Sequence, residues 1–169
     1  FQLSAVGGAS ATLDLDLGGF GISRYNFDLF LYEKAKQAGV SFLLNTEVHD
    51  VSFKEEFFLI SHGTETTEAR VVLGSFGKRS KLDIALKRNF INKRSPYVGV
   101  KYHIRTDFPN DLVALHNFEG GYCGVSNVEN NITNLCYLVH REVLRQHGNI
   151  AKMEKAVLTK NPHLKKLFA

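Results

Sequence analysis

Between residues 97 and 139 four runs of strand-forming residues follow one another, with only a few residues at each break. The runs span 97–106, 112–118, 122–128 and 133–139, and turn signals stand between them at Pro109-Asn110, Gly120-Gly121 and Asn130-Asn131. Strands joined this tightly pair antiparallel, because a parallel crossover needs a dozen or more residues. The earlier part of the chain carries similar signals. The run Ala11-Thr12-Leu13-Asp14-Leu15-Asp16-Leu17 alternates apolar and polar with period two, the pattern of a half-buried strand. Residues 1–6 read as another extended segment before the Gly7-Gly8 turn. Residues 40–44 make a short apolar strand, 46–53 alternate, 57–60 follow the Glu55-Glu56 turn, and 69–73 form a β-branched run ending at Gly74.

Helical patterns interleave with these strands. Phe27, Phe30, Leu31, Ala35 and Ala38 recur at spacings of three and four, with Asn26 as N-cap, Asp28 in the first turn and Gly39 just past the end. Ser80 caps a short helix over residues 81–87. Ile150, Met153 and Val157 form one stripe, and Asn161-Pro162 opens a last short helix with Pro in its first position. The expected class is α+β, a large antiparallel sheet with flanking helices. No repeat or low-complexity linker divides the chain.

Composition narrows the function. With 44% hydrophobic and 22% charged residues, the 169-residue chain can bury a core, so a disordered protein is not expected. No stretch approaches 18 consecutive apolar residues, so no transmembrane helix is expected. A net charge of +4 is too mild for a nucleic-acid-binding surface. Two cysteines are too few for a disulfide scaffold, and without a C-x-x-C no zinc ribbon has its ligands, so no metal site and a cytoplasmic setting are expected. The first residues carry no basic stretch ahead of an apolar run, so a leader peptide is not expected. The chain does not begin with Met, and Met153 is its only methionine, which points to a piece of something longer.

Two glycine clusters come near phosphate-cradle motifs without completing them. Gly19 and Gly21 supply G-x-G, but Arg24 stands where a dinucleotide fingerprint needs its third glycine. At Gly77-Lys78 a P-loop fails as well, because the earlier glycine is Gly74 and Arg79 follows the lysine. Residues 71–80 still combine a strand, a glycine-hinged turn and a helix start, an arrangement that favours an anion; the plainer reading is a βα turn with a solvated basic face. Lys78 to Arg94 holds seven basic residues against one acid, Asp83, and more often such a run is only a solvated face. Arg24 could grip a phosphate with two hydrogen bonds, or simply pair with Asp28 one turn on. His103 and His116 lie on runs joined through Pro109-Asn110, and a register summing near 219 would place them opposite each other as an acid–base or metal pair. Ordinary half-buried sheet histidines are the alternative. Cys123 and Cys136 flank the Asn130 turn and are expected on one face, as a redox pair or as two small buried hydrophobes. The run Gly124-Val125-Ser126-Asn127-Val128 lacks the last glycine of a nucleophile elbow.

Three landmarks in order resemble a known family. Gly21-Ile22-Ser23-Arg24-Tyr25, with Asp28 and then a helix ending Ala38-Gly39-Val40, resembles the S-R segment of flavoprotein oxidoreductases of the p-hydroxybenzoate hydroxylase fold. The branch is that of the geranylgeranyl reductase-like dehydrogenases. Residues 69–80 resemble the family's "a-x-x-V-I-G-A-D-G-x-x-S", with Phe76 where the Asp stands. Gly120-Gly121-Tyr122-Cys123-Gly124-Val125 is similar to the start of "G-G-Y-x-W-x-F-P", with Gly124, Ser126 and Asn127 in the later places. The resemblance covers roughly residues 10–140.

The resemblance implies an FAD-dependent oxidoreductase of dehydrogenase, reductase or monooxygenase type, with NAD(P)H as a candidate reductant. It also implies a small-molecule substrate or an electron-transfer partner. Arg24, Gly74, Ser75, Gly77 and Ser80 would lie at the cofactor. Residues 1–94 would form part of the periphery of the FAD domain, and residues 95–169 the substrate-domain sheet and C-terminal helices. Tyr102, His103, His116, Tyr122 and Cys123 are the substrate-side candidates, although neighbours on a strand face opposite ways. No catalytic acid or base is assigned. Neither the N-terminal G-x-G-x-x-G nor the later G-D segment occurs here, so the chain reads as the middle of a flavoenzyme, inactive by itself. The competing expectation is a non-enzymatic α+β ligand- or partner-binding module.

Overall fold

Strict alternation builds the centre of the molecule. Thr133, Leu135, Tyr137 and Val139 are buried along one strand, and Ala114, His116 and Phe118 along another, as a strand with one covered face requires. A computed structural model describes residues 1–77 and 80–168. Lys78 and Arg79, two members of the basic run, lie outside the described residues.

The chain divides into two compact units, Phe1–Glu33 with Ser95–Ala169, and Lys34–Arg94. The first unit holds a six-stranded sheet. Its strands are β1 (Gln2–Ser4), β2 (Ser10–Thr12), β6 (Tyr97–Ile104), β7 (Val113–Phe118), β8 (Gly121–Val128) and β9 (Ile132–His140). Their order is β2-β1-β7-β8-β9-β6. All neighbours are antiparallel except β1 and β7, and that parallel pair adds β1 and β2 to the sheet of the C-terminal segment. Helices α3 (Arg141–His147), α4 (Ile150–Val157) and α5 (Pro162–Phe168) follow β9. Met153, Val157, Leu158 and Leu164 pack on Phe118, Cys123, Val125, Leu135, Tyr137 and Val139 to form the core. One sheet face is therefore covered by helices, and the other is open.

The second unit is a meander of β3 (Val48–Lys54), β4 (Phe57–His62) and β5 (Glu65–Ala69), followed by the short helix α2 (Lys81–Ala85). Helix α1 (Arg24–Gln37) begins in the first unit and ends in the second.

The α+β class and the large sheet agree with the sequence expectation, but several local expectations do not hold. Strand β6 pairs with β9, not with β7. Residues 105–112 carry the chain past two strands in a Greek-key connection. The strand expected over 69–73 stops at Ala69, because β4 begins at Phe57 and offers no partner beyond it. Val71 and Leu73 are surface residues of an irregular segment. Residues 40–44 form no strand, and 11–17 pair only as far as Thr12, opposite the short β1. Helix α2 ends early, where Lys87 turns left-handed at φ 51°. Helix α1 starts two residues before Asn26, with the Ser23 hydroxyl accepting the Asn26 N–H at 3.2 Å.

Candidate functional site: an open sheet face and the entry to α1

Register decides which side chains share a face. His116 is opposite Cys123, Cys123 opposite Tyr137, and Tyr102 opposite Leu135. Directly paired residues point the same way, so Tyr102, His116 and Cys123 all lie on the helix-covered face. Tyr122 pairs with Leu138, His103 with Asn134 and Tyr97 with His140, and these lie on the open face. The five substrate-side candidates are thus split between the two faces.

On the covered face their surroundings are those of a core. Burial raises the pKa of Tyr137, and the Glu154 carboxylate beside its hydroxyl adds to the shift. Tyr137 and Tyr102 both donate to Glu154 Oε1, at 2.7 and 2.9 Å, which ties α4 to the sheet. Ser4 Oγ accepts an Asn161 N–H at 2.9 Å and shares a second hydrogen bond, also 2.9 Å long, with His116 Nδ1. The His116 ring stacks on His163 with centroids 4.8 Å apart. Burial, then the neighbouring His163, lowers the His116 pKa from 6.5 to about 4. Burial first, then Cys136, pushes the Cys123 thiol up to about 12.

Two paired arrangements expected from sequence are absent. His103 and His116 sit on strands that do not touch. Cys136 pairs with Gly124 and is exposed, so it points away from buried Cys123. The cause is the tip of the β8–β9 hairpin. Three residues, Glu129 to Asn131, lie between the closing pair Val128 and Ile132, and the odd count shifts the register by one and reverses the face.

The open face carries a cleft of about 600 Å³ lined by Tyr97, Gly120, Gly121, Tyr122, Leu138 and His140. Its size suits a small molecule. Tyr97 meets the His140 ring edge-on at 5.5 Å. His140 also caps α3, its Nδ1 accepting the Glu142 N–H at 3.4 Å, so the neutral ring keeps its proton on Nε2 as a donor. The two glycines are needed for packing. A Cβ on Gly121 would run into the Leu138 carbonyl, and one on Gly120, at φ +78°, would lie 2.6 Å from Val143 Cγ2. Tyr97 and His140 were not expected from sequence, because only the β6–β9 pairing brings them together.

Beside β8 the chain enters α1. The Ser23 N–H donates to Glu129 Oε2 at 2.8 Å, and the bonds from Ser23 hold the Glu129 carboxyl below its usual range. His103 lines a hollow of about 390 Å³ there, with Ser23, Tyr25, Glu129 and Asn130 among its other walls. Arg24 Nε bonds Asp28 Oδ1 at 2.7 Å, and the Arg24 side chain is 80% exposed. The bond to Asp28 uses the Nε donor of the guanidinium.

In the second unit Gly74 and Ser75 are exposed, and Gly77 is left-handed at φ +74°. The Ser80 oxygen accepts the Leu82 N–H at 3.2 Å, while its own amide donates to Asp83 Oδ2 at 3.1 Å in a capping box.

No protein-family model matches the sequence, and no curated protein matches it. Solved structures do. A flavoprotein/dehydrogenase from Cytophaga hutchinsonii matches with a TM-score of 0.70 at 17% identity, over 89% of this chain and 40% of that one. A geranylgeranyl bacteriochlorophyll reductase-like protein from Thermoplasma acidophilum matches at 0.62 and 18% identity, over 85% and 39%. A myxobacterial chondrochloren halogenase, a variant of FAD-dependent halogenases, matches at 0.66 and 19% identity, over 89% and 37%. The fold is that of part of these proteins, and the chain spans about two fifths of their length.

Proposed function

We propose that this chain is the substrate-sheet portion of an FAD-dependent oxidoreductase. The observation that carries the reading is the agreement of two independent lines. Ordered motifs at residues 21–40, 69–80 and 120–125 point to flavoprotein oxidoreductases, and the fold matches solved flavoproteins over nearly nine tenths of the chain. In this reading the flavin supplies the hydride or oxygen chemistry. The chain's own residues bind and orient. Arg24 presents free guanidinium N–H groups to a cofactor phosphate. In the second unit, Gly74, Ser75, Gly77 and Ser80 are the remaining candidates for cofactor contact, through exposed backbone and the Ser80 side chain.

The substrate lies on the open face at the cleft, where Tyr97 and Tyr122 supply aromatic walls and His140 an Nε2–H donor. His103 is near the α1 entry on that face, whereas Tyr102, His116 and Cys123 support the sheet from behind. NAD(P)H remains the candidate reductant.

The test is to purify the full-length gene product. A yellow protein with flavin absorbance is expected, and Arg24→Ala should lower flavin occupancy while leaving the melting transition in place. A folded, colourless full-length protein that ignores added FAD would favour a non-enzymatic binding module instead.

A further inference from the structure

Helix α1 has fourteen residues, and none of them is buried. Side-chain burial therefore does not fix its start on the first unit, and the fixing contacts lie just ahead of it. Gly21 lies flush on the Asn127 carbonyl, where any Cβ would collide. Two residues on, the Ser23 amide donates to Glu129. A carboxylate at a helix N-terminus also meets the positive end of the helix dipole.

The tip that holds Glu129 is itself constrained. Asn130 and Asn131 are left-handed at φ 61° and 55°. Behind them, Asn127 Nδ2 donates to the Phe108 carbonyl at 2.6 Å and to Asn110 Oδ1 at 2.7 Å, while Asn127 Oδ1 accepts from Thr133 Oγ1 at 2.7 Å. Tyr122, in the open cleft, lies on the same strand as Asn127.

We infer that Glu129 is a positioning residue for Arg24, linking the substrate sheet to the cofactor-side turn. Glu129 holds the backbone of Ser23, and Arg24 is the next residue. With its side chain mostly in solvent, Arg24 takes its direction from that backbone and from Asp28. A displacement of the β8–β9 hairpin moves the carboxylate and, with it, the guanidinium. The inference rests on the proposed cofactor role of Arg24 and adds to it a route by which substrate contact on β8 alters the grip on the flavin.

The experiment measures flavin dissociation constants for the full-length protein and its variants. Glu129→Ala should weaken flavin binding roughly tenfold, the scale of one hydrogen bond to a charged group. Glu129→Gln, which keeps an acceptor oxygen, should restore most of that loss. The Arg24→Ala, Glu129→Ala double variant should bind no worse than Arg24→Ala alone, because both changes act through one group. Should Glu129→Ala fail to fold, Glu129→Asp draws the carboxylate back by one methylene and carries the same expectation. Additive losses, or unchanged affinity in Glu129→Ala, overturn the inference and leave the proposed function standing. A full-length protein that takes up no flavin overturns both.

Discussion

Protonating His116 would place a charge between Ser4 and the stacked ring of His163, inside the core of the first unit. Its pKa is about 4 in the fold and near 6.5 when the chain is unfolded. The unfolded state therefore binds the proton first as pH falls. Above pH 6.5 both states are neutral and nothing is lost. Between about 6.5 and 4 stability should fall by up to about 3 kcal/mol. Denaturant melts at pH 7 and pH 4 check this: His116→Asn should lose less stability over that interval than the native chain, and an equal loss would refute the assignment. The cysteines give a second check at this scale. One thiol, Cys136, should react with a thiol reagent in the folded chain, and Cys123 only after unfolding. Equal rates, or a disulfide between them, would contradict the register. Neither result was legible in the sequence. Alternation placed both cysteines on strands, but their faces depend on whether the hairpin tip holds two or three residues, a choice made by the left-handed Asn130 and Asn131.

Secondary structure was most readable where the side chains have a core to face. The runs at 112–118, 122–128 and 133–139 became β7, β8 and β9 with small changes at their ends, and the Ile150, Met153, Val157 stripe became α4. Met153 is fully buried against the sheet, so Met153→Ala should cost about 2–5 kcal/mol, read as a shift in the denaturation midpoint. Apolar runs without partners form no strand. Residues 40–44 and 71–73 carry strand-like side chains, yet Val40, Leu43, Leu44, Val71 and Leu73 are each at least half exposed. Propensity describes a strand only when a neighbour completes its hydrogen bonds. Capping chemistry was readable at Ser80 and not at Ser23, because three polar residues, Ser23, Arg24 and Asn26, compete for the start of α1. The Ser80→Ala variant should lose the hydroxyl half of its capping box, keep the backbone N–H to Asp83, and destabilise the second unit by about 1 kcal/mol. A midpoint unchanged from the native chain would show that Asp83, held also by Arg88 at 3.3 Å, secures α2 without it.

The order of strands in the sheet could not be read from local pattern. Hairpin logic joined β6 to β7, but β9 already pairs with β8 and offers its other edge to β6. That choice removed the expected histidine pair and created the Tyr97–His140 contact instead. The motifs at residues 21–40, 69–80 and 120–125 were read from local sequence and make no use of strand order. They also limit what this chain can do unaided. A flavin dinucleotide is held chiefly by a glycine-rich turn against its pyrophosphate, and no G-x-G-x-x-G occurs in the 169 residues. Arg24 is bound to Asp28 in an exposed ion pair, and such a pair holds a ligand weakly without a preformed cradle around it. The 169-residue chain alone should therefore show no saturable quenching of flavin fluorescence in a titration that saturates the full-length protein. Tight one-to-one binding by the short chain would mean that no glycine-rich fingerprint turn is needed for the pyrophosphate. The flavin's main anchor would then lie within these 169 residues, and Arg24→Ala would be expected to abolish binding to the short chain rather than weaken it.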